Sequence, residues 1–482
     1  MQIQSMFFKQ TASVKLNDPV LQNALKKAKG KFVDGRAKGM LELDNLEEIR
    51  SAAAALRDRA LGNLDAYLLE FERNALRRGA VVHWAETAEE ARRIVLDIAR
   101  ENKVKKVTKS KSMVTEEIGL NDAFAAAGVQ VIETDLGEYI LQLADEPPSH
   151  IVAPAVHKSK EQIADLFATH HHKPRLTDIA AMTREAREEL RAHFISADMG
   201  VSGANFIIAE TGTTLTVTNE GNADMVTTLP RIHVVVTGIE KVIGTMEDFA
   251  TLMRLLPRSA IGQSITSYLT LTTGIKAPDE SDGPEQMHIV LIDAGRTRFI
   301  GSDMQPMLRC IRCGACMNHC PVYQNIGGHA YGWVYPGPMG AVLTPTYVGI
   351  ENAGDLPNAS TFCGECTVVC PVKIPLPDLM RKLREKQFDH KLRPWTERLA
   401  ITLWGFAVQR PGFYAFASKL GARLSALLGG KEKLIHRLPG LDGWTAGRDL
   451  PAAAGRTFRE LYRERAAGHP HRRPSPASER GD

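Results

Sequence analysis

Outside the window from Cys310 to Cys370, this chain of 482 residues contains no cysteine. Seven cysteines crowded into that one segment exclude a disulfide scaffold, which spreads its cysteines through the fold, and point to metal in a reducing compartment. Charge of one sign is also missing: 60 Lys and Arg face 56 Asp and Glu, a net +4 too balanced to argue for nucleic acid by itself, and no nucleic-acid partner is expected. A long apolar run is absent too. The nearest candidate, Leu399 to Leu428, is broken by Arg410-Pro411 and carries Lys419 and Arg423, so no transmembrane segment is expected. Met1 to Lys9 has neither the basic start nor the apolar stretch of a secretory leader, and the expected location is cytoplasmic.

What is present divides the chain into five parts. Residues 1–78 read as polar and helical, with Leu43, Leu46, Ile49, Ala53, Leu56, Leu61, Leu64 and Leu68 at roughly helical spacing. From Gly79 strand and helix signals alternate. Ala80–Trp84, Val104–Thr108, Val129–Ile132, His150–Ala153, Asn205–Ala209, Leu215–Thr218, Ile232–Val236 and His288–Ile292 read as strands, and Ala88–Asn102 and Ser112–Ala127 as helices. This alternation predicts an α/β domain with a largely parallel sheet over 79–297. No G-x-G-x-x-G follows any strand, so the dinucleotide fingerprint is missing. Residues 298–390 carry the cysteines, 391–468 read as a helical, basic domain with an aromatic face, and 469–482 as a disordered tail.

The strongest signal is Cys310-Ile-Arg-Cys313-Gly-Ala-Cys316-Met-Asn-His-Cys320-Pro321, which fits C-x2-C-x2-C-x3-C-P. A second run, Cys363-Gly-Glu-Cys366-Thr-Val-Val-Cys370-Pro371, repeats its last three positions and has Ser360 where the first cysteine would stand. A zinc site needs only two pairs of ligands and leaves the half-repeat unexplained. Two [4Fe–4S] clusters are therefore expected. Because the fourth thiolate of each such run points to the other cluster, Cys310, Cys313, Cys316 and Cys370 are assigned to the first and Cys320, Cys363 and Cys366 to the second. Ser360, water or substrate could hold the last corner, or it could be empty in a three-iron form; an oxygen there makes that iron the labile one. His319 is the runner-up ligand. The long step from Cys320 to Cys363 suggests an α-helical ferredoxin of the kind found in multisubunit reductases.

The run from Cys320 to Gly340, and that from Ser360 to Ile374, resemble the lactate utilization protein B family, in which serine before a three-cysteine second motif looks like the family's own pattern. Thr108 to Glu117, Ala209 to Thr213 and Asn219 to Asn222 resemble the LUD domain, and Gly443 to Pro451 with Gly455 to Phe458 that family's C-terminal domain. The resemblance implies a subunit that works with two other proteins in a cytoplasmic complex oxidising L-lactate to pyruvate. It also implies that the LUD domain has a sugar-isomerase and CoA-transferase-like (NagB/RpiA) α/β fold.

A cubane takes one electron at a time, so a two-electron or base-assisted site should precede the clusters, here or on a partner. Whether this chain is itself an enzyme is left open: an electron relay is the first reading. The alternative is a LUD domain that binds a small carboxylate or CoA ester, the clusters being accessory. Lys109, Ser110, Lys111 and Ser112, between a strand and a helix N-terminus, could hold an anion or form a solvated loop. Glu210, at a strand end, could act as a base or sit in a structural turn. His170-His-His172 reads as a polar helix end, since consecutive side chains diverge. Trp395, Trp404, Phe406, Phe413, Tyr414 and Phe416 read as a docking face for a partner, with core packing or peripheral membrane contact as alternatives.

Overall fold

The computed structural model describes residues 3–438, 445 and 447–468. The chain forms two units, one running to Gln387 and the other starting at Phe388. The expected tail, 469–482, and Gly443 and Trp444 lie outside the described residues.

In the first unit six strands form a wholly parallel sheet: β1 (Val81–Ala85), β2 (Lys106–Lys109), β3 (Gln130–Glu133), β4 (Met199–Ser202), β7 (Ile232–Gly238) and β10 (Gln286–Ile292). Their order is β1-β10-β7-β4-β2-β3. β7 is buried along its whole length, as a central strand covered on both faces must be, and its residues are mostly β-branched. A second sheet joins β5 (Phe206–Ile208), β6 (Thr213–Thr218), β8 (Val242–Ile243) and β9 (Tyr268–Thr272) in the order β8-β5-β6-β9.

Three strands carry little sequence signal. β4 is short and includes Gly200, where an added Cβ would meet the Val226 carbonyl oxygen at 1.9 Å; the close helix requires glycine. β8 has two residues, and β9 is a Thr-rich strand at the edge of its sheet. Conversely, His150–Ala153 is not a strand. The buried His150 ring accepts the N–H groups of Val152 and Ala153, each at 3.0 Å, and bends the segment away from any ladder. The helix expected over Ser112–Ala127 breaks at Gly119 (φ +65°) into Met113–Glu117 and Leu120–Ala126.

The N-terminal helices bind the sheets to the cysteine segment. In the helix Leu46–Gly62, Ile49, Ala53, Leu56 and Leu61 enter one core with Phe206 and Ile243 of the smaller sheet and with Met307, Ile311 and Leu379 around the cysteines. Arg57 lies in the same face, 1 % exposed. Its guanidinium donates to the carbonyls of Glu240, of Val242 (2.9 Å) and of Leu308 (3.0 Å), so one side chain closes three backbone groups from two distant segments.

The second unit holds the helices Trp395–Val408 and Pro411–Leu428, joined by an edge-on contact of Phe406 with Phe413 at 6.3 Å, a short ribbon of Leu434–Ile435 with Leu450–Pro451, and the helix Phe458–Gly468. Trp395, Trp404 and Phe416 are exposed. Among the described residues no helix is long and apolar enough to cross a membrane.

Arg57→Met should lower unfolding stability by about 3 kcal/mol, because three buried carbonyls lose their donor. Arg59→Met, which removes a half-exposed pair with Asp248, should cost less than about 1 kcal/mol. Urea titrations of the two variants check the contrast.

Candidate metal centre and adjoining cavity

Each cysteine run folds into the same local shape. Arg312 (φ +58°) and Gly314 (φ +76°) flank Cys313 in left-handed backbone, and Phe362 (φ +57°) and Gly364 (φ +84°) flank Cys363. A one-turn helix follows in both, Ala315–Asn318 carrying Cys316 and Glu365–Val368 carrying Cys366. A left-handed non-glycine residue costs about 1–2 kcal/mol. Here both side chains have aromatic–cation partners: the Arg312 guanidinium lies 4.7 Å from the Tyr335 ring centre, and Arg384 lies 4.2 Å from that of Phe362. Ser360 occupies the place in its run that Cys310 has in the first, and its Oγ accepts the Phe362 N–H at 3.0 Å.

Cys310, Cys313, Cys316 and Cys370 line one small apolar cavity with Met307, Met339 and Ile374. Cys320, Cys363 and Cys366 form a second group whose thiols act on one another, and Cys316 and Cys366 couple the two groups. Burial pushes the Cys313 and Cys366 thiols up to about 12 and Cys370 to about 11, and neighbouring sulfurs add to each rise. A crowd of buried thiols gains nothing from being together unless a cation makes them thiolates. Soft sulfur donors around a dry cavity fit an iron–sulfur cubane at the first group. The second group fits with three thiolates. Ser360 Oγ accepts one bond, from the Phe362 N–H, and keeps a second lone pair. The Nδ1 of His319 lies 2.9 Å from the Ala315 carbonyl oxygen, which engages one of its two ring nitrogens.

Arginines from the N-terminal helices hold the second run in place. Arg50 donates to the carbonyls of Cys370 (2.8 and 3.1 Å) and Val368 (2.7 Å), and Arg36 to that of Val369 (3.0 Å). The sequence reading missed them. The available signal was Arg50 and Arg57 on the same helical face as Ala53, Ala54 and Leu61, an odd place for cations unless they have buried work.

A cavity of about 560 Å³ opens at the carboxyl ends of β2, β3 and β4 and reaches the first cysteine group. Ser110, Lys111 and Asp135 line it on the sheet side, and Lys241, Arg312, Cys313 and Tyr335 on the other. Lys111 lies on this cavity but is spent on Asp135 (2.9 Å) and the Val152 carbonyl (3.1 Å). Lys109 is turned away into the core, where it pairs with Glu133 (2.8 Å) and Glu116 (3.0 Å); burial opposes its charge, but those carboxylates hold it above the ordinary lysine range. Glu210 does not line the cavity either, since its Oε1 accepts the Met246 N–H (2.9 Å) at the start of the helix Met246–Ile261. His170–His172 ends the helix Lys160–His171, with His171 between Glu185 (2.7 Å) and Tyr139 (2.9 Å).

Beneath the cavity lies a buried charge network. Arg296 binds Glu117 through two bonds of 2.9 Å and Glu240 at 2.6 Å; Tyr335 donates to Glu117 (2.7 Å), and Arg312 stands 3.6 Å from Glu240. Burial raises Glu240, but Arg296, Lys241 and Arg312 overcome it and bring the carboxyl down to about 2. Lys241 has no hydrogen-bond or ion-pair partner among the described residues, and burial, with Arg312 adding to it, pushes it down to about 7.

Comparison with known proteins follows these divisions. Residues 68–292 match the LUD domain, 306–374 the 4Fe-4S dicluster domain, and 380–467 the domain described as Lactate utilisation protein B, C-terminal. A Lactate utilization protein B from Lysinibacillus sphaericus is 44% identical over 464 residues, 96% of this chain and 97% of that one. Another, from Geobacillus kaustophilus, is 46% identical over 430 residues, covering 89% and 90%. A solved DUF162 family protein from Deinococcus radiodurans aligns at TM-score 0.28 and 14% identity, over 48% of this chain and 98% of that one, too loosely to argue from.

In the iron-free chain Cys363 is the exposed cysteine, and burial holds Cys313, Cys366 and Cys370 in the thiol form. Iodoacetamide at neutral pH should therefore alkylate Cys363 first, as read by peptide mass spectrometry.

Proposed function

The chain belongs to the lactate utilization protein B family, and from that premise we propose that it is the iron–sulfur electron-transfer subunit of an L-lactate-oxidising complex with two other proteins. The observation that carries this reading is the pair of cysteine groups, built on one repeated backbone shape and meeting at Cys316 and Cys366. Cys310, Cys313, Cys316 and Cys370 would hold one [4Fe–4S] cluster and Cys320, Cys363 and Cys366 the other. Oxidation of lactate to pyruvate releases two electrons, and the clusters, once bound, supply two one-electron acceptors.

The residues around them do the rest. Arg36 and Arg50 fix the carbonyls of the second run, so both groups keep their spacing as charge changes. Apolar walls keep water from the first group, while Cys363 brings the second to the surface. That asymmetry supports a direction of flow: the buried group faces the inner cavity and the exposed one a partner or acceptor. The LUD part, with its parallel sheet, supports a sugar-isomerase and CoA-transferase-like fold. The cavity at its strand ends favours a second reading, in which this chain also binds the small molecule itself.

Two variants test the relay. In the reconstituted three-protein complex, Cys363→Ala should abolish electron delivery from L-lactate; unchanged turnover would sink the relay. Ser360→Cys should make the second cluster keep its fourth iron through mild ferricyanide oxidation, where the natural chain passes to a three-iron signal in paramagnetic resonance.

A further inference from the structure

The two ends of the 560 Å³ cavity differ in charge. At the sheet end, Asp135 and Glu220 accompany Lys111, whose ammonium is already committed to Asp135 and a carbonyl, and Glu220 accepts the Leu136 N–H at 3.1 Å. An anion gains nothing there. At the cysteine end, Lys241 follows β7 through the turn Ile239–Lys241, lines the cavity and is only 5 % exposed. Its near carboxylate, Glu240, is held by Arg296 and Arg312. Around this point the four cations Arg57, Lys241, Arg296 and Arg312 face the carboxylates of Glu117, Glu240 and Asp58, the last already paired with Arg309, and Cys310 attracts Arg57, Lys241 and Arg312; before the cysteine group is counted, positive charge is in excess.

A buried ammonium without a partner is costly, and such groups are normally paired or hydrogen-bonded. The negative charge of the cysteine group could serve, but that role falls first to Arg312, whose strongest attraction is to Cys310. Lys241 shares the cavity wall with Cys313, whereas Cys310 does not line that cavity.

We propose that the cavity binds an organic carboxylate at its cysteine end, with the carboxylate seated on Lys241 beside Arg312 and the body of the molecule extending toward the strand ends. The proposal rests on the iron–sulfur reading only for the company this site keeps. The parallel strand ends supply the walls, as they do for ligands in open α/β sheets, and the turn after β7 supplies the cation.

The test uses the full chain, anaerobically loaded with iron and sulfide, titrated in a calorimeter with L-lactate, pyruvate and neutral lactamide. The carboxylates should bind and lactamide should bind about tenfold more weakly or not at all, as expected for loss of a charge-assisted hydrogen bond. Lys241→Met should weaken carboxylate binding by about tenfold or more, and Lys241→Arg by much less, with iron content and cluster absorbance unchanged in both. A loaded chain that binds neither carboxylate, or binds them equally well as Lys241→Met, overturns the proposal. So does a Lys241→Met variant that shifts only the cluster spectra. If the clusters load and accept electrons from dithionite while no carboxylate binds, the site fails and the relay stands. If carboxylate binds to a chain that holds no iron, the relay fails and the site stands.

Discussion

A fully buried guanidinium, Arg57, ties the backbone that leaves β7 to the backbone that enters the cysteine segment. Burying such a charge is tolerable because carbonyl oxygens converge on it and Glu240 attracts it. The position of Leu308 relative to Val242 is thereby fixed, and with it the position of Cys310 and Arg312 relative to the carboxyl end of the sheet. Arg296 repeats the device, joining Glu117 and Glu240. The cavity, the cation at its end and the cysteine group all inherit their geometry from these two arginines.

The two cysteine groups are alike in backbone and unlike in surroundings. The first sits among methionine and isoleucine side chains, and the second ends at an exposed Cys363 beside an exposed Phe362. Solvent around a cluster stabilises its more highly charged reduced form and burial disfavours it, so the same local fold can present two different affinities for an electron.

Much of this was readable from the residues. β-branched runs such as Ile232–Val236 and His288–Ile292 announced the central strands because burial on both faces demands apolar side chains. Cysteine spacing announced the metal-binding loops because the spacing is the geometry. What escaped was set by long-range partners. Lys109 and Lys111 are two positions apart and look equivalent in sequence, yet the strand ends at Lys109, which turns into the core with Glu133, while Lys111 lies in the loop beyond it, on the cavity. Lys241 showed no motif; its meaning depends on Arg312, which stands about seventy positions later. His150–Ala153 had the composition of a strand and became a turn because one imidazole could satisfy its neighbours' N–H groups.

The interleaving of the cysteines also bears on how the protein is made. Cys370 lies with the trio that begins at Cys310, and Cys320 lies with the pair at Cys363 and Cys366. A growing chain that has left the ribosome only as far as residue 362 has the sheet, the N-terminal arginines and four cysteines, but completes neither group. The second group waits for Cys366 and the first for Cys370, so neither can take its full set of thiolates from the first run alone. A product ending before Cys370 would also lack Leu376, Leu379 and Leu383, which share a core with Ile49, Ala53 and Leu56, so the missing stretch belongs to the fold as well as to the cysteine groups.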